Sequence, residues 1–397
     1  ALGEVAKSEA GVLETDTPAT ALGKLTASLE PLLHDHDERT WVAGRLAPLV
    51  GTGQETAGGA QERFAAWHRY LAALAEQRPT VIVVEDLHWA DPALVEFLAE
   101  VPEATRGTPL LLVCTARPDF FEGHPAWGGG QRNAVTMRLD PLDPQATRAL
   151  LDELLAGGEL DDATRLAIAE RSGGNPLWAQ EFVRMLHDRP AGVADLAIPD
   201  TVQAVVASRI DLLDPEPKTV IQTASLIGKT FWAGAVEAML DEPVDVDVGG
   251  ALRELTRREL IRRERLSTFA GETEYAFTHS VVRDVASSRI PRAARAVRHH
   301  RAARWFEATS GDRVSDKAEV IAHHDAEALR LMIATDTEEV TALVDRAVAS
   351  HRRAAEYAMA LDVSAQVAHL EAALELVPGG DPRRGRLLYE LGGAYAA

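Results

Sequence analysis

Val81-Ile82-Val83-Val84 is an unbroken run of β-branched residues, and Leu110-Leu111-Leu112-Val113-Cys114 is a second apolar run of similar length. Neither alternates with polar residues, so both are predicted to be strands covered on two faces, as in a parallel sheet. Pro92 to Glu103 between them reads as a helix, and Val135 to Leu139 reads as a third strand after a longer connection. This order predicts a doubly wound α/β unit.

Elsewhere the period is helical. Leu22, Leu25, Leu29, Leu32 and Leu33 recur at helical spacing, as do Phe64, Trp67, Tyr70, Leu71 and Leu74. The glycine-rich stretch from Gly51 to Gly59 is predicted to be a loop. Residues 144–240 read as all-helical, with starts at Asp143-Pro144, Asp200 and Asp214-Pro215. Leu252, Leu255, Leu260 and Ile261 predict a helix, and Glu274-Tyr275-Ala276-Phe277-Thr278 alternates like a strand. Helix followed by a short hairpin is the pattern of a winged helix. From residue 292 the chain is alanine-rich and helical, with weakly periodic pairs towards the end. The expected divisions are 1–143 for the α/β part, 144–213 for a helical arm, 214–310 for a winged-helix-like part and 311–397 for helical repeats.

The chain has 397 residues, one cysteine and a formal charge of −20. Cys114 alone excludes a disulfide scaffold and a cysteine-based zinc module, and it fits a reducing, cytoplasmic compartment. No apolar run approaches the roughly 18 residues of a membrane span. The acidic balance argues against a chain that coats nucleic acid. Residues 251–310 differ, with 13 arginines and 7 acids. A basic winged-helix pattern raises DNA binding. The arginines, however, interleave with Glu254, Glu259 and Glu264 and rarely sit beside aromatics. An internal acidic–basic interface is the favoured reading, with DNA an unlikely partner.

The segment richest in chemistry is Glu85-Asp86-Leu87-His88-Trp89-Ala90-Asp91, directly after the first apolar run. The carboxyl edge of an open α/β sheet is where ligands bind. One carboxylate there can hold Mg²⁺ through water, and its neighbour can polarise an attacking water. The plainer alternative is an acidic pair that only ends a strand.

This string resembles the Walker B segment of STAND-class P-loop ATPases, AAA-like modules of large signalling proteins. Thr115-Ala116-Arg117-Pro118 resembles the family's sensor-1 arginine segment, and Gly173-Gly174-Asn175-Pro176-Leu177 its Gly-x-Pro motif that approaches the nucleotide base. Ile198-Pro199 to Leu213, then Ala224-Ser225-Leu226-Ile227-Gly228, resemble its helical and winged-helix arms, and Glu274 to His279 its wing. Pro125 to Asn133 and Arg289 to Ala296 look like segments of ATPase regions fused to class III adenylate/guanylate cyclase domains. The resemblance implies ATP and Mg²⁺ as cofactors, bound between the α/β core and the helical arm, and a cyclase as output; the alternatives are a nucleotide-independent helical-repeat scaffold and the ATPase region of a LuxR-type DNA-binding transcription regulator. It implies catalytic roles for Glu85, Asp86 and Arg117, metal binding by Glu85 and Asp86, and nucleotide contacts from Thr115, Gly174, Asn175 and Pro176. Glutamate replaces the family's commoner aspartate at 85, so the two acidic roles are shared or reversed.

No Gly-x-x-x-x-Gly-Lys-[Ser/Thr] stands before Glu85. That loop cradles phosphates in P-loop ATPases. Gly228-Lys229-Thr230 follows Walker B and has Thr223 where the first glycine belongs; Gly23-Lys24 is followed by Leu25. Ala1 to Val5 resembles the family some distance after Walker A, the first methionine is Met137, and Ala373 to Pro378 with Leu391 to Tyr395 resembles interrupted tetratricopeptide repeats. The expectation is a piece of a larger protein, with open edges on the Leu110–Cys114 and Val135–Leu139 strands. Its expected partners are its own amino-terminal domain and proteins bound by the repeats. Taken alone it is expected to have a poorly formed α/β part and negligible ATP affinity.

Other residues carry plainer alternatives. Asp91 before Pro92 reads as a helix cap. Arg117 could stabilise terminal-phosphate charge or form a surface ion pair. Asn175 and Pro176 could instead start a helix. His88 and Trp89 read as packing under the strand end. His299, His300, His323 and His324 read as helix packing and solvent contact rather than a metal site, and Cys114 as a small hydrophobe.

Overall fold

The computed structural model describes residues 2–51, 59–129, 133–155, 162–188, 199–240, 246–332, 337–359 and 363–396. Most of the expected Gly51–Gly59 loop, part of the Pro125–Asn133 segment and Ile198 lie outside the described residues. The chain divides into two compact units, Ala1–Arg138 and Leu139–Ala397.

In the first unit, helices α1 (Leu2–Ala10), α2 (Pro18–Leu29), α3 (His36–Leu46) and α4 (Ala60–Gln77) precede β1 (Thr80–Val84), α5 (Pro92–Ala104), β2 (Leu110–Cys114) and the short α6 (Phe120–Gly123). Local chemistry sets several starts. Thr17 and Asp35 accept hydrogen bonds from the backbone N–H of Thr20 and Glu38, and Pro18 occupies the first turn of α2. The stripe Trp67, Tyr70, Leu71 and Leu74 puts one side of α4 into a core with Leu25, Leu29, Leu33, Leu46, Phe97 and Leu98. Ile82, Val84, Leu110, Leu112 and Cys114 pack onto that core from the sheet.

β1 and β2 pair in parallel from Thr80↔Leu110 to Val84↔Cys114. Two expectations fail here. The strands are not covered on both faces: Val81 and Val83 are 61% and 59% exposed, Leu111 56% and Val113 38%. Only the face carrying Ile82, Val84, Leu110, Leu112 and Cys114 meets helices. Val135 to Leu139 forms no strand. Val135, Met137 and Leu139 stand in solvent, and among the described residues the parallel sheet contains β1 and β2 alone, so this apolar segment has no ladder to join.

The second unit begins with α7 (Pro144–Leu154), α8 (Asp162–Ser172), α9 (Pro176–His187) and α10 (Val202–Asp211). It continues with α11 (Pro215–Ser225), β3 (Thr230–Trp232), α12 (Ala233–Met239), α13 (Val248–Arg257), β4 (Ile261–Arg263), β5 (Glu274–Phe277) and α14 (Ser280–Ser288). It ends with α15 (Arg292–Ser310), a 3-10 segment (Gly311–Lys317), α16 (Ala318–Leu331), α17 (Thr337–Ala358), α18 (Val363–Leu376) and α19 (Arg383–Ala396). From α15 onward each helix packs on the next. The fold is thus α/β with a small parallel sheet, followed by a helical arm and stacked repeat-like helices. No described helix is long and apolar enough to cross a membrane.

The antiparallel sheet has the order β3-β5-β4, with Phe231, Trp232, Ile261 and Phe277 buried against α11 to α14. β3 corrects the expectation that 144–240 is all-helical. Trp232 there packs edge-on against Phe269 and stacks with Trp305, so tertiary contacts set the strand. Leu260 and Ile261 lie outside the helix expected to hold them. Glu259 adopts a left-handed backbone (φ 55°), the Leu260 N–H donates to the Leu255 carbonyl, and Ile261 enters β4. The start of α10 is capped by Thr201, not Asp200.

Candidate functional site

The parallel register builds the site. Because Val84 faces Cys114, Glu85-Asp86 and Thr115-Ala116-Arg117 leave the sheet side by side at its carboxyl edge. The ladder continues past the strands. The Thr115 N–H donates to the Val84 carbonyl at 2.9 Å, and the Leu87 N–H donates to the Thr115 carbonyl at 2.8 Å. The Asp86 N–H donates to Thr115 Oγ1 at 3.1 Å. Asp86 sits in the left-handed region, φ 57° and ψ 43°. Aspartate tolerates this conformation better than most residues, at a cost of about 1–2 kcal/mol. Leu87, buried in the core, anchors the turn on its other side.

Glu85, Asp86, Thr115 and Arg117 are all exposed, on the two segments that leave the sheet at this edge. Among the described residues Arg117 forms no salt bridge, so the ion-pair alternative finds no partner there. Asp91 Oδ1 accepts the Leu94 N–H at 2.8 Å and Pro92 fills the first turn, so Asp91 caps α5. Trp89 is 76% exposed, which corrects its reading as packing under the strand end. His88 is half-buried beside it, with both ring nitrogens lacking a hydrogen-bond partner among the described residues. Burial pushes the Cys114 thiol up to about 11, which leaves it a protonated, apolar neighbour.

The donor set is hard oxygen. Mg²⁺ characteristically takes one or two carboxylates and keeps several waters, so Glu85 and Asp86 suit it. Among the described residues no group of three or more His, Cys, Asp or Glu is placed to hold a metal by itself. The phosphate half does not fit as well, since the sequence holds no glycine-lysine cradle.

Gly174, Asn175 and Pro176 belong to the second unit. Gly174 has φ +76°, and a Cβ there would collide with the Leu142 backbone, whose N–H donates to the Gly174 carbonyl at 2.9 Å. Only glycine suits both conditions. Asn175 Oδ1 accepts from the Leu177 and Trp178 N–H groups, and Pro176 opens α9. The helix-start alternative therefore describes what the Asn175 side chain does here.

A second polar cluster escaped the sequence. Arg209 is 1% exposed and bonds Glu181, Asp188 and the Arg258 carbonyl. Arg184 bridges Glu181 and the left-handed Glu259. These contacts tie α9 and α10 to the segment after α13. Spacings such as 28 residues between Glu181 and Arg209 leave no local pattern to detect. Burial holds the nearby His279 below its ordinary pKa. The basic segment follows the same logic: Arg289 pairs with Asp211 at 2.7 Å, and Arg257 and Arg258 pair with Glu254.

No protein-family model matches the sequence. It is 27% identical over 246 residues to an uncharacterized protein of Rhizobium meliloti, covering 59% of this chain and 23% of the relative. The chain thus spans about a quarter of the length of the curated relative it matches. Among solved structures, it is similar to a signal transduction ATPase with numerous domains, a STAND protein with a tetratricopeptide repeat sensor, from Pyrococcus horikoshii. That similarity has a TM-score of 0.43 and 14% identity, over 96% of this chain and 66% of the other. A more distant likeness is to the Aeropyrum pernix ORC1 protein in complex with DNA, with a TM-score of 0.29 and 16% identity over 68% of this chain and 81% of the other.

Proposed function

We propose that this chain forms the acid-pair edge and the regulatory arm of an ATP-dependent switch of the STAND class. The observation that supports the reading is the β1–β2 register, from which Glu85-Asp86 and the segment carrying Thr115 and Arg117 leave at the same end of the sheet. In this reading Glu85 and Asp86 hold Mg²⁺ and orient a water, and Arg117 faces charge on the terminal phosphate. Thr115 fixes the Asp86 backbone. Mg²⁺, when bound, supplies charge neutralisation for phosphoryl transfer. Asn175 secures the start of α9, and Gly174, whose carbonyl accepts the Leu142 N–H, seats the turn before it. The phosphate-binding loop comes from sequence outside these 397 residues, in a cytoplasmic signalling protein whose output is an adenylate/guanylate cyclase domain. Helices α11 to α14 with their antiparallel hairpin act as a winged helix, and α16 to α19 as tetratricopeptide-like repeats that receive protein partners. Nucleotide then shifts the arm between states by differential contact.

The missing glycine-lysine cradle favours a second reading, a scaffold that works through its helices without nucleotide. Two measurements separate them. Mg·ATP titrated into residues 1–397 gives no tight binding, whereas a longer product of the same gene with an in-frame Gly-x-x-x-x-Gly-Lys-[Ser/Thr] binds. Tight Mg²⁺-dependent binding by residues 1–397 alone overturns the division of labour. An in-frame stop just upstream of Ala1 establishes the scaffold.

A further inference from the structure

His299 on α15 and His324 on α16 are both buried, and their Nδ1 atoms lie 2.8 Å apart. Such a contact is a hydrogen bond only while one ring donates and the other offers a lone pair. The accepting ring must be neutral. Two protonated rings would have no acceptor between them and would place two cations in contact in a dry seam. The ring of His324 stacks on Phe306, and its Nε2 is buried with no hydrogen-bond partner among the described residues, so a proton added there finds no acceptor.

Of the charges facing His299, Glu327 favours a proton there and the others oppose it. Facing His299 are Arg295 from its own helix and His323, Glu327 and Arg330 from α16. Glu327 is held by two bonds to Arg330. From α17, Arg346 binds Asp325 and Glu307, and Ser350 takes the second Asp325 oxygen. The 3-10 segment places Arg313 on Asp316. Burial holds His299 down to about 4 against the opposing pull of Glu327, with His323, Arg295 and Arg330 adding to it, and burial, then His299 and His323, holds His324 well below the ordinary histidine range.

A second pair repeats the arrangement one seam further along. His351 Nδ1 on α17 lies 3.2 Å from His369 Nδ1 on α18. Burial, then His369 and His323, holds His351 down to about 4, while Glu319 faces His369. His323 sits within electrostatic reach of both pairs, so histidines line the seams of four successive helices.

We propose that the His299–His324 pair is an acid-operated latch between α15 and α16, with His351–His369 as its counterpart between α17 and α18: mild acid parts the repeat-like helices by forcing a second proton onto each pair. This goes beyond the nucleotide reading and does not depend on it. The sign follows from linkage. A buried histidine with a depressed folded-state pKa stays neutral in the fold, whereas the unfolded chain takes up its proton near pH 6.5. Stability is complete above about pH 6.5 and is lost as pH falls from there towards 4.

The test is hydrogen exchange on residues 1–397 at pH 7.5 and pH 5.0, corrected for intrinsic rates. Peptides from α15 and α16 are expected to lose at least tenfold protection at pH 5.0, while those from α2 to α4 change little. His324→Phe keeps the stacking on Phe306 and removes the titrating partner, so it shrinks the α15–α16 loss at least tenfold. If that variant does not fold, His299→Leu serves the same purpose, and the wild-type contrast between α15–α16 and α2–α4 stands as an independent reading. Unchanged α15–α16 protection at pH 5.0, or an equal loss in wild type and variant, overturns the latch.

Discussion

On the parallel sheet of the first unit, Val81, Val83, Leu111 and Val113 face solvent. On the antiparallel sheet of the second, Phe231, Trp232, Ile261 and Phe277 are enclosed by helices. Both sheets are built from strongly strand-forming residues, so propensity does not separate them. Cover does. β3, β5 and β4 lie against α11 to α14, and Trp232 of β3 makes aromatic contacts with Phe269, Trp305 and Phe306. β1 and β2 meet helices on one face only. An apolar run in sequence therefore announces a strand, whereas the number of its covered faces is decided by distant partners. An uncovered apolar face is also a site of association.

The largest test of this contrast targets the buried ionic cluster that binds the second unit together. Arg209→Met leaves Glu181 buried beside a single remaining cation, Arg184. A loss of about 3–5 kcal/mol is expected, read from urea denaturation followed by exchange in α9 and α10. A loss under about 1 kcal/mol would show that the cluster is dispensable. The sheets themselves come next. Phe231→Ala in β3 is expected to cost about 3–4 kcal/mol, whereas Val83→Ala in β1 stays within about 0.5 kcal/mol. Comparable costs at both positions would mean that the solvent face of β1 is covered in solution. Smaller still are the caps. Asp91→Ala and Asn175→Ala each remove an N-cap acceptor from α5 and α9, for about 1 kcal/mol apiece in thermal denaturation. No change for Asn175→Ala would return that side chain to a role outside the helix start.

Much of this was legible in the sequence, for identifiable reasons. The α4 stripe, the β1 and β2 runs and the Asp91-Pro92 and Asp143-Pro144 starts are local signals, and local signals survive folding. The acid pair and Thr115-Ala116-Arg117 were also visible, but their adjacency depends on the pairing of Val84 with Cys114, which sequence does not state. The single exposed face of β1, the failure of Val135 to Leu139 to pair, and the left-handed turn at Glu259 depend on neighbours far along the chain. The histidines show the same limit. Adjacent His323 and His324 differ in exposure, yet both rings meet His299 on another helix, which also bonds His324.

The most direct measurement concerns Asp86. Asparagine tolerates the left-handed backbone at this position, so Asp86→Asn keeps the turn and removes the charge. In a longer product of the gene that contains a Gly-x-x-x-x-Gly-Lys-[Ser/Thr], as proposed above, Mg²⁺-dependent ATP turnover is compared with and without this substitution, alongside nucleotide binding. The account predicts at least a hundredfold loss of turnover with binding retained. Unchanged turnover in Asp86→Asn would contradict it and remove the β1–β2 edge from the chemistry.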